Sequence, residues 1–326
     1  MKKAATQASN DSFSLRNENC SKNSTQYTQH YQANTSKLTA AINFGLLVDH
    51  IEEDEQVHRV PTQLKPKSKN GWYIAFDRVL KMGDWQTGLT EIYKANGQKI
   101  TCEDKQRITQ SRERNKLLKR QQQEQTAVLA REQYNQAADA VKHPYLNAKG
   151  IVGVEGLKVA NNQLLVPLID LNTGMIKNIQ RIYPDGSKRF LKNGQITGLC
   201  CGLLNRQIVM PENVTEFYIC EGFATAASIS VMTGQPVIAA MNAGNLLSVS
   251  KLAKSKWPNA NITIAADDDW VTHQKYGVNP GKEKAIEAAN VIGASVSVPP
   301  FTADQHMSGL SDWNDYWLDS NRSEAQ

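Results

Sequence analysis

The chain lacks the features that define several large classes of protein. No apolar run approaches the ~20 residues needed to span a bilayer. No apolar segment follows the two lysines near its start, so a secretory signal is not expected. No nucleotide-binding loop of the form G-x-x-x-x-G-K-[ST] is present, which argues against a built-in helicase motor. These absences favour a cytoplasmic protein with no membrane partner.

Cysteine patterns are also missing. The five cysteines form no C-x-x-C pair, and no nearby histidine completes a zinc pattern. An odd, scattered set argues against a disulfide framework, and no zinc is predicted. We interpret the adjacent Cys200 and Cys201 as small buried hydrophobes rather than reactive thiols.

Composition sets loose bounds on size and partners. The 326 residues are 40% hydrophobic and 21% charged, enough for one large or two ordinary domains. The net charge of +5 is a mild excess, which permits a polyanionic partner without requiring one.

Changes in composition along the chain predict its organisation. Residues 1–35, rich in Asn, Ser, Thr and Gln, predict a disordered polar tail. The predicted segments that follow are a small β-rich N-terminal module (36–102), a long basic connecting helix (103–142), a basic α+β subdomain (143–213), an α/β domain (214–318) and a second disordered tail (319–326).

Two of these segments allow alternative interpretations. In the β-rich module, Trp72, Tyr73 and Trp85 could contact nucleic acid, but we expect at least two of them to form the core of a small sheet. The basic residues of the long helix could lie along phosphates, although a solvated face of a connecting helix is the commoner outcome.

From residue 214 onward, short apolar runs alternate with helical patterns. The runs are "FYIC", "PVIAAM", "ITIAA" and "ASVSVP". This alternation predicts a mostly parallel sheet covered by helices on both faces. Ligands of such sheets bind at the carboxyl ends of the strands, so the residues after each run are the candidate site.

Carboxylates gather at these strand ends. Glu221 ends the first run, and Asp267, Asp268 and Asp269 follow the third. Strand alternation places Asp267 and Asp269 on one side and turns Asp268 elsewhere. Clustered carboxylates repel one another unless a cation balances them, and oxygen ligands suit Mg²⁺ or Mn²⁺. The triplet alone would favour an acidic turn or helix N-cap; an equivalent Glu221 weakens that alternative.

The ordered motifs "ICEGFATAAS" and "IAADDD" resemble the Toprim domain of bacterial-type primases, topoisomerases and some nucleases. Together with "GWYIAFDRVLKMGDWQTG", "HPYLNAKGI", "MNAGNL" and the terminal "DWND", they resemble the primase-like Toprim proteins of plasmids and phages, over roughly residues 57–317.

The resemblance implies roles for individual residues. Glu221, Asp267 and Asp269 would be catalytic and hold the divalent metal, with Glu221 either a ligand or a general base. Asp312 and Asp315 would form an outer acidic shell, although Asp312 could equally cap a helix. The implied pocket residues are Gly222, Asn242 and Asn245, and the implied phosphate contacts are Arg181, Lys188, Arg189 and Lys192, for which an ordinary exposed basic hairpin is the alternative.

The implied activity is that of a DNA primase-like nucleotidyltransferase. It would join ribonucleoside triphosphates into short RNA primers on a single-stranded DNA template, with a replicative helicase supplied by another chain. The sequence departs from the family in lacking a zinc ribbon, so the β-rich module or another protein would recognise the template. A Toprim nuclease and a non-catalytic single-stranded DNA-binding accessory protein of replication or conjugation are the alternatives.

Overall fold

The computed structural model describes residues 36–76, 78–85, 87–94 and 101–324. The tail predicted at 1–35 lies outside these residues. The chain divides into two compact units, Met1–Asn115 and Lys116–Gln326.

The first unit contains the predicted β-rich module. Its antiparallel sheet has the order β1-β2-β3-β4. Side chains alternate along these strands, so Tyr73, Leu80 and Met82 form a core with Ala40 and Ala41 of α1. The elements are α1 (Lys37–Phe44), β1 (His58–Val60), β2 (Gly71–Phe76), β3 (Val79–Asp84) and β4 (Thr90–Lys94).

The aromatic residues of this sheet correct one prediction. Tyr73 is buried in the core at 2% exposure, but Trp85 is 53% exposed. Trp72 precedes Tyr73 in β2, and the alternation of a strand therefore sends it to the opposite face, where it is only partly buried. The expectation that at least two of the three aromatics lie in the core is wrong.

Helix α2 (Cys102–Gln136) crosses the boundary between the units. Its first part packs Ile108 against Phe76 and Val79 of the first unit. The sequence predicted this helix to residue 142, but it ends at Gln136. The residues that follow form β5 (Ala138–Asp139), which pairs with β6 (Lys158–Ala160) and is tied by an ion pair of 2.7 Å between Asp139 and Lys158. Pro144 begins the short helix α3 (Pro144–Ala148), a position where its missing N–H costs nothing.

The second unit is built on one large mixed sheet. Its strands are β5 (Ala138–Asp139), β6 (Lys158–Ala160), β7 (Gln163–Asp170), β8 (Ile176–Ile182), β9 (Lys188–Phe190), β10 (Leu199–Leu204), β11 (Gln207–Ile208), β12 (Glu216–Cys220), β13 (Val237–Ala239), β14 (Asn261–Ala265) and β15 (Ser295–Ser297). Its helices after α2 are α3 (Pro144–Ala148), α4 (Phe223–Thr233), α5 (Ala243–Lys256), α6 (Trp270–Tyr276), α7 (Pro280–Ile292), α8 (Ala303–Met307) and α9 (Trp313–Glu324).

The parallel part of this sheet confirms the α/β prediction. The strands run in the order β15-β14-β12-β13 and pair in parallel, after which β10 continues the sheet in antiparallel fashion. Helices α5 and α7 pack together on one face, while α4 and α9 pack together on the other. Strand β12 comes first in the chain but lies between β13 and β14 in the sheet. The crossover through α4 leads from β12 to β13, and the crossover through α5 returns past β12 to β14 on the opposite face of the sheet. The direction of winding therefore changes at β12, which opens a crevice at its carboxyl end.

The chain end differs from the prediction of a disordered tail from 319. Helix α9 continues to Glu324, and within it Asp319 accepts a hydrogen bond of 2.6 Å from Gln305. Helices α6 and α8 were not predicted either, because each has fewer than eight residues and little apolar periodicity. Within the described ranges, no helix combines the length and the apolar character needed to cross a membrane.

The three cysteines of this unit are core residues. Cys200, Cys201 and Cys220 are fully buried and unpaired. Burial raises the pKa of Cys200 to about 12. Interpreting the adjacent pair as small hydrophobes is therefore confirmed.

Candidate active site

Glu221 stands at the mouth of the crevice, directly after β12. The backbone N–H of Ala243, the first residue of α5, favours its ionised carboxylate. Burial raises the pKa of Glu221, the Ala243 amide opposes this shift, and the negative charge of Asp269 adds to it. Gly222 follows as the N-cap of α4, and a side-chain carbon there would meet Thr225 only at an ordinary 3.5 Å.

Asp267 lies across the crevice from Glu221. Strands β12 and β14 pair through Cys220 and Ala265, so Glu221 comes one residue and Asp267 two residues after the last pair. Its Oδ1 is buried and has no hydrogen-bond partner among the described residues. Burial raises the pKa of Asp267 well above its usual value, and the charges of Asp312 and Glu221 raise it further. Such a buried, unsatisfied oxygen is a candidate ligand atom.

Asp269 is held by the start of α7. Its Oδ2 accepts a hydrogen bond of 2.8 Å from Gly281 N, and its own N–H donates to Asn279 Oδ1 at 3.1 Å. A side-chain carbon on Gly281 would lie 2.7 Å from the carbonyl oxygen of Asp267 and 3.1 Å from Asp269 Oδ2. Glycine at 281 therefore lets the helix start close against the acidic loop.

The middle aspartate turns away, as strand alternation predicts. Asp268 is 9% exposed, and its Oδ1 accepts a hydrogen bond of 2.6 Å from Asn279 Nδ2. Its Oδ2 lies 3.8 Å from His306 Nε2. Asp268 thus helps to hold the loop, while Asp267 and Asp269 act on the crevice.

The two later aspartates have different surroundings. Asp312 Oδ1 caps α9 by accepting from Asp315 N at 2.9 Å, and the Asp312 charge also raises the pKa of Asp267. Asp312 therefore caps a helix, and its place in an outer acidic shell stays a prediction. Asp315 Oδ2 accepts from Ser311 N at 3.1 Å, and its Oδ1 pairs with Lys149 Nζ at 3.3 Å.

The asparagines after β13 are largely structural. Asn242 caps α5 by accepting from Asn245 N at 3.0 Å. Asn245 is 3% exposed, accepts from Gly198 N at 2.7 Å and donates to Leu199 O and Ala240 O. Because its side chain is already engaged, Asn245 holds β10 to α5 and does not line a pocket.

The four residues predicted to contact phosphate do not share one face of the β8–β9 hairpin. Lys188 is opposite Ile182, and Arg189 is opposite Arg181, so alternation sends Lys188 to one face and both arginines to the other. Arg181 donates to Gln133 Oε1 of α2 at 2.7 Å, and Lys192 is an exposed residue after β9. Of the four, Lys188 is the one whose charge is coupled to the acidic residues of the crevice.

Lys188 keeps exposed surface, but protein atoms surround its ammonium. Its Nζ lies 5.7 Å from the centre of the Tyr145 ring. Burial lowers the pKa of Lys188 and Lys149 lowers it further, while Asp312, Glu221 and Asp267 oppose that change. The sequence prediction missed Lys149 and Tyr145, although both lie in the quoted segment "HPYLNAKGI".

The donor set fits a hard divalent cation. Asp269 and Asp312 each accept the backbone N–H of a helix's first turn, whereas Asp267 Oδ1 has no hydrogen-bond partner among the described residues. No three of these carboxylates bring one oxygen each within 4.8 Å of one another in the described structure. Carboxylates that repel at this spacing, with one left unsatisfied, suit Mg²⁺ or Mn²⁺, which also take waters and phosphate oxygens as ligands.

A second acidic group lies outside the crevice. In the first unit, Glu52, Asp54 and His58 offer ligand atoms within 4.8 Å of one another. His58 is already paired with Asp54 at 2.8 Å and stacked on Tyr73, so this group is satisfied without a metal.

Comparison with known proteins agrees with the geometry. Residues 216–322 match the Toprim domain family model. A DNA primase TraC of Escherichia coli is 31% identical over 270 residues, which is 78% of this chain and 18% of that protein. Another DNA primase TraC of Escherichia coli is 33% identical over 167 residues, which is 50% of this chain and 15% of that protein. The chain thus spans less than a fifth of the length of these curated relatives.

Solved structures overlap only in part. The Aquifex aeolicus primase (zinc-binding and RNA polymerase domains) is 11% identical, covers 90% of this chain and 82% of that chain, and has a TM-score of 0.39. A chain from the structure of bacteriophage T7 lagging-strand DNA polymerase interacting with primase domains is 14% identical, covers 57% of this chain and 90% of that chain, and has a TM-score of 0.34. The family assignment rests on the sequence matches.

Proposed function

Because this chain is a Toprim primase-like protein, we propose that it is a DNA-directed RNA polymerase of the primase type. Its substrates would be ribonucleoside triphosphates and a single-stranded DNA template, and its product short RNA primers for plasmid or phage replication. A replicative helicase supplied by another chain would unwind the duplex.

One observation carries the proposal most strongly. The buried, unpartnered oxygen of Asp267 lies in a crevice with Glu221 and Asp269, and Lys188 reaches the same charges from the hairpin. Carboxylates that need a cation, beside a cation that can take a phosphate, suit phosphoryl transfer.

The residues have separate tasks in this proposal. Glu221, Asp267 and Asp269 would hold Mg²⁺ or Mn²⁺, which when bound neutralises charge on the triphosphate and orients it. Lys188 would bind a phosphate oxygen as a point charge. Asp269 is kept in place by the first amide of α7, which reduces the reorganisation needed at the reaction step.

Two roles remain alternatives for Glu221. Its pKa is raised by burial, and a carboxylate with a raised pKa can take a proton from the primer 3′-hydroxyl. Its coupling to Asp269 equally suits a ligand of the metal. Replacement by Gln would remove the basic oxygen in both cases, whereas metal binding measured separately would distinguish them.

Primer synthesis tests the proposal. We would incubate the full chain with single-stranded circular DNA, labelled ribonucleotides and Mg²⁺ or Mn²⁺, beside Asp267→Asn and Asp269→Asn. Asp304→Asn is the matched control, because it removes an exposed carboxylate outside the crevice. We expect short products from wild type and control, and at least a hundredfold loss in the two site variants. Products of unchanged yield from either site variant would contradict the assignment.

A Toprim nuclease is the second candidate, because the same carboxylates could serve hydrolysis. In that case the same incubation would yield nicked or shortened DNA and no labelled primer. DNA that is bound but unchanged would favour the accessory protein instead.

A further inference from the structure

The first unit presents an unusual outer surface, which we call the aromatic–basic face. It consists of Arg59, Trp72, Lys81 and Trp85. Strand register places Arg59 beside Trp72 and Trp72 beside Gly83, so a single row crosses three strands on the side opposite the Tyr73 core. Trp85 follows directly after β3 and is 53% exposed.

Gly83 gives Trp72 its position. A side-chain carbon on Gly83 would lie 2.7 Å from three atoms of the Trp72 indole. The indole therefore lies across the bare backbone of β3 instead of standing away from the sheet. Trp85 is tilted by 34° to Trp72, with ring centres 5.8 Å apart, so two indoles form a continuous aromatic surface.

Two cations lie on these rings. The guanidinium carbon of Arg59 is 4.8 Å from the centre of the Trp85 ring, and Lys81 Nζ is 6.0 Å from that of Trp72. Arg59 also donates to the carbonyl oxygen of Lys69 at 3.0 Å. No carboxylate of the described residues forms an ion pair with Arg59 or Lys81, so both charges are open to an anion.

The surroundings favour added negative charge. Burial lowers the pKa of Lys81, and the positive charge of Arg112 lowers it further. A phosphate group near Lys81 would relieve this repulsion. Tryptophan faces bind any base by stacking, and neighbouring cations bind the backbone, which is how single strands are held without reading their sequence.

We propose that the aromatic–basic face binds single-stranded DNA, with bases stacked on Trp85 and Trp72 and phosphates on Arg59 and Lys81. Bases in a duplex are already stacked on each other and are not available to a flat aromatic surface. The choice of DNA as the occupant rests on the proposed function, which supplies a single-stranded DNA template. The face belongs to the first unit of the chain, and the acidic crevice belongs to the second.

Binding of a fluorescently labelled oligodeoxythymidine, followed by anisotropy, tests the proposal on the full chain. Trp85→Ala should weaken binding about 10-fold, as expected for the removal of one base stack. Trp85→Phe should restore most of that affinity because it keeps an aromatic face. The matched control is Leu64→Ala, since Leu64 is 73% exposed on the same unit. Unchanged affinity in Trp85→Ala would overturn the proposal.

Salt dependence gives an independent readout. The double variant Arg59→Gln/Lys81→Gln should lower the slope of log K against log salt by about 1.4, close to 0.7 for each phosphate of a single strand that the variant no longer neutralises. An unchanged slope would show that neither Arg59 nor Lys81 neutralises a phosphate of the bound strand. Tighter binding of oligouridine than of oligodeoxythymidine would overturn the assignment of DNA as its occupant.

Primer synthesis in parallel separates this proposal from the proposed function. If the wild type makes primers while Trp85→Ala binds DNA normally, the face is wrong and the activity stands. If Trp85→Ala weakens binding and the wild type makes no primers, the proposal for the face stands and the proposed activity is wrong.

Discussion

The acidic crevice and the aromatic–basic face differ in the sign of their charge and in how that charge is held. In the crevice, Asp269 is held by the start of α7, and Asp267 Oδ1 is buried without a partner among the described residues. On the face, Arg59 lies on the exposed ring of Trp85, and Lys81 lies on the partly buried ring of Trp72. One region concentrates negative charge at partly buried strand ends, and the other places positive charge on aromatic rings of a sheet surface.

This difference matches what each ligand requires. A reacting phosphate must be fixed to within a fraction of an ångström, so its site uses backbone amides and buried oxygens that cannot move far. A template strand must slide, so its surface uses stacking that tolerates every base. Glycine serves both regions: Gly281 lets α7 approach the acidic loop, and Gly83 lets Trp72 lie flat.

The largest effect is expected from a substitution that disrupts the acidic crevice and leaves the aromatic–basic face unchanged. Gly281→Ala would force α7 away from Asp267 and Asp269, because the added carbon would meet Asp267 O at 2.7 Å. We expect primer synthesis to fall about 100-fold, since misplacement of about 1 Å can cost that much. Affinity for oligodeoxythymidine should change less than 3-fold. Full activity in this variant would show that the helix contact is not needed.

Asp267→Asn separates the charge of the crevice from its shape. The pKa of Asp267 is raised in the folded protein, so its contribution to stability is present below the unfolded pKa and is lost as the pH rises through the folded pKa. In chelator, wild type should therefore become less stable with rising pH, and the variant should not. Near neutral pH we expect the variant to be more stable by on the order of 1 kcal/mol, measured by urea unfolding.

Divalent metal should reverse the order of stability, so that wild type becomes more stable than Asp267→Asn. Mg²⁺ should raise the melting temperature of wild type, since it binds the folded state and not the unfolded chain. It should leave Asp267→Asn nearly unchanged, and Asp304→Asn should behave as wild type. Equal stabilisation of both site and control variants would place the metal elsewhere.

Gly83→Ala is the glycine substitution on the aromatic–basic face that corresponds to Gly281→Ala in the crevice. The added methyl would displace the Trp72 indole from β3, so we expect oligodeoxythymidine affinity to fall about 3- to 10-fold. Thermal stability should drop by a few degrees because a packed ring moves. In the crevice, metal-dependent stabilisation should be unchanged, in contrast to Asp267→Asn. Loss of that stabilisation would mean that the substitution acts on more than the face.

The smallest effect concerns the outer carboxylates. Asp315→Asn removes the partner of Lys149 at 3.3 Å but keeps an oxygen that can cap α9. A partly exposed ion pair of this kind contributes roughly 0.5 kcal/mol, and less at high salt. Asp312→Asn should reduce activity more than Asp315→Asn does, because the Asp312 charge acts on Asp267. Equal losses would make the two positions equivalent.

The sequence predicted the parallel part of the large sheet well, because strong local signals agree there. Short apolar runs bounded by Gly and Asn mark β12 to β15, and the helix starts at 223, 243 and 280 lie close to their predicted positions. The carboxylates could be placed for the same reason, since the ends of parallel strands meet at one edge. Helix ends were less predictable. The end of α2 was predicted at residue 142, close to Pro144, but the helix ends at Gln136 because the residues after it pair as β5.

Side-chain direction was the harder part of the site. The choice of Lys188 over Arg189 depends on the hairpin register, which the basic composition of "SKRF" does not reveal. Trp72 and Tyr73 are neighbours in sequence but lie on opposite faces, so hydrophobicity alone placed one of them wrongly. Asn245 looked like a pocket residue because its contacts with Gly198 and Leu199 are distant in sequence.

The contact between Gly281 and the acidic loop also gives a criterion for judging whether related sequences keep an intact site. A paralogue that has lost activity can still keep the carboxylates of the D-x-D motif, because Asp269 also holds the loop to the start of α7. The bare α-carbon twelve residues after Asp269 is a stricter marker, since any larger side chain would push the helix off the loop. Sequences that carry the aspartates with a bulky residue at that spacing would be degenerate copies, identifiable without an assay.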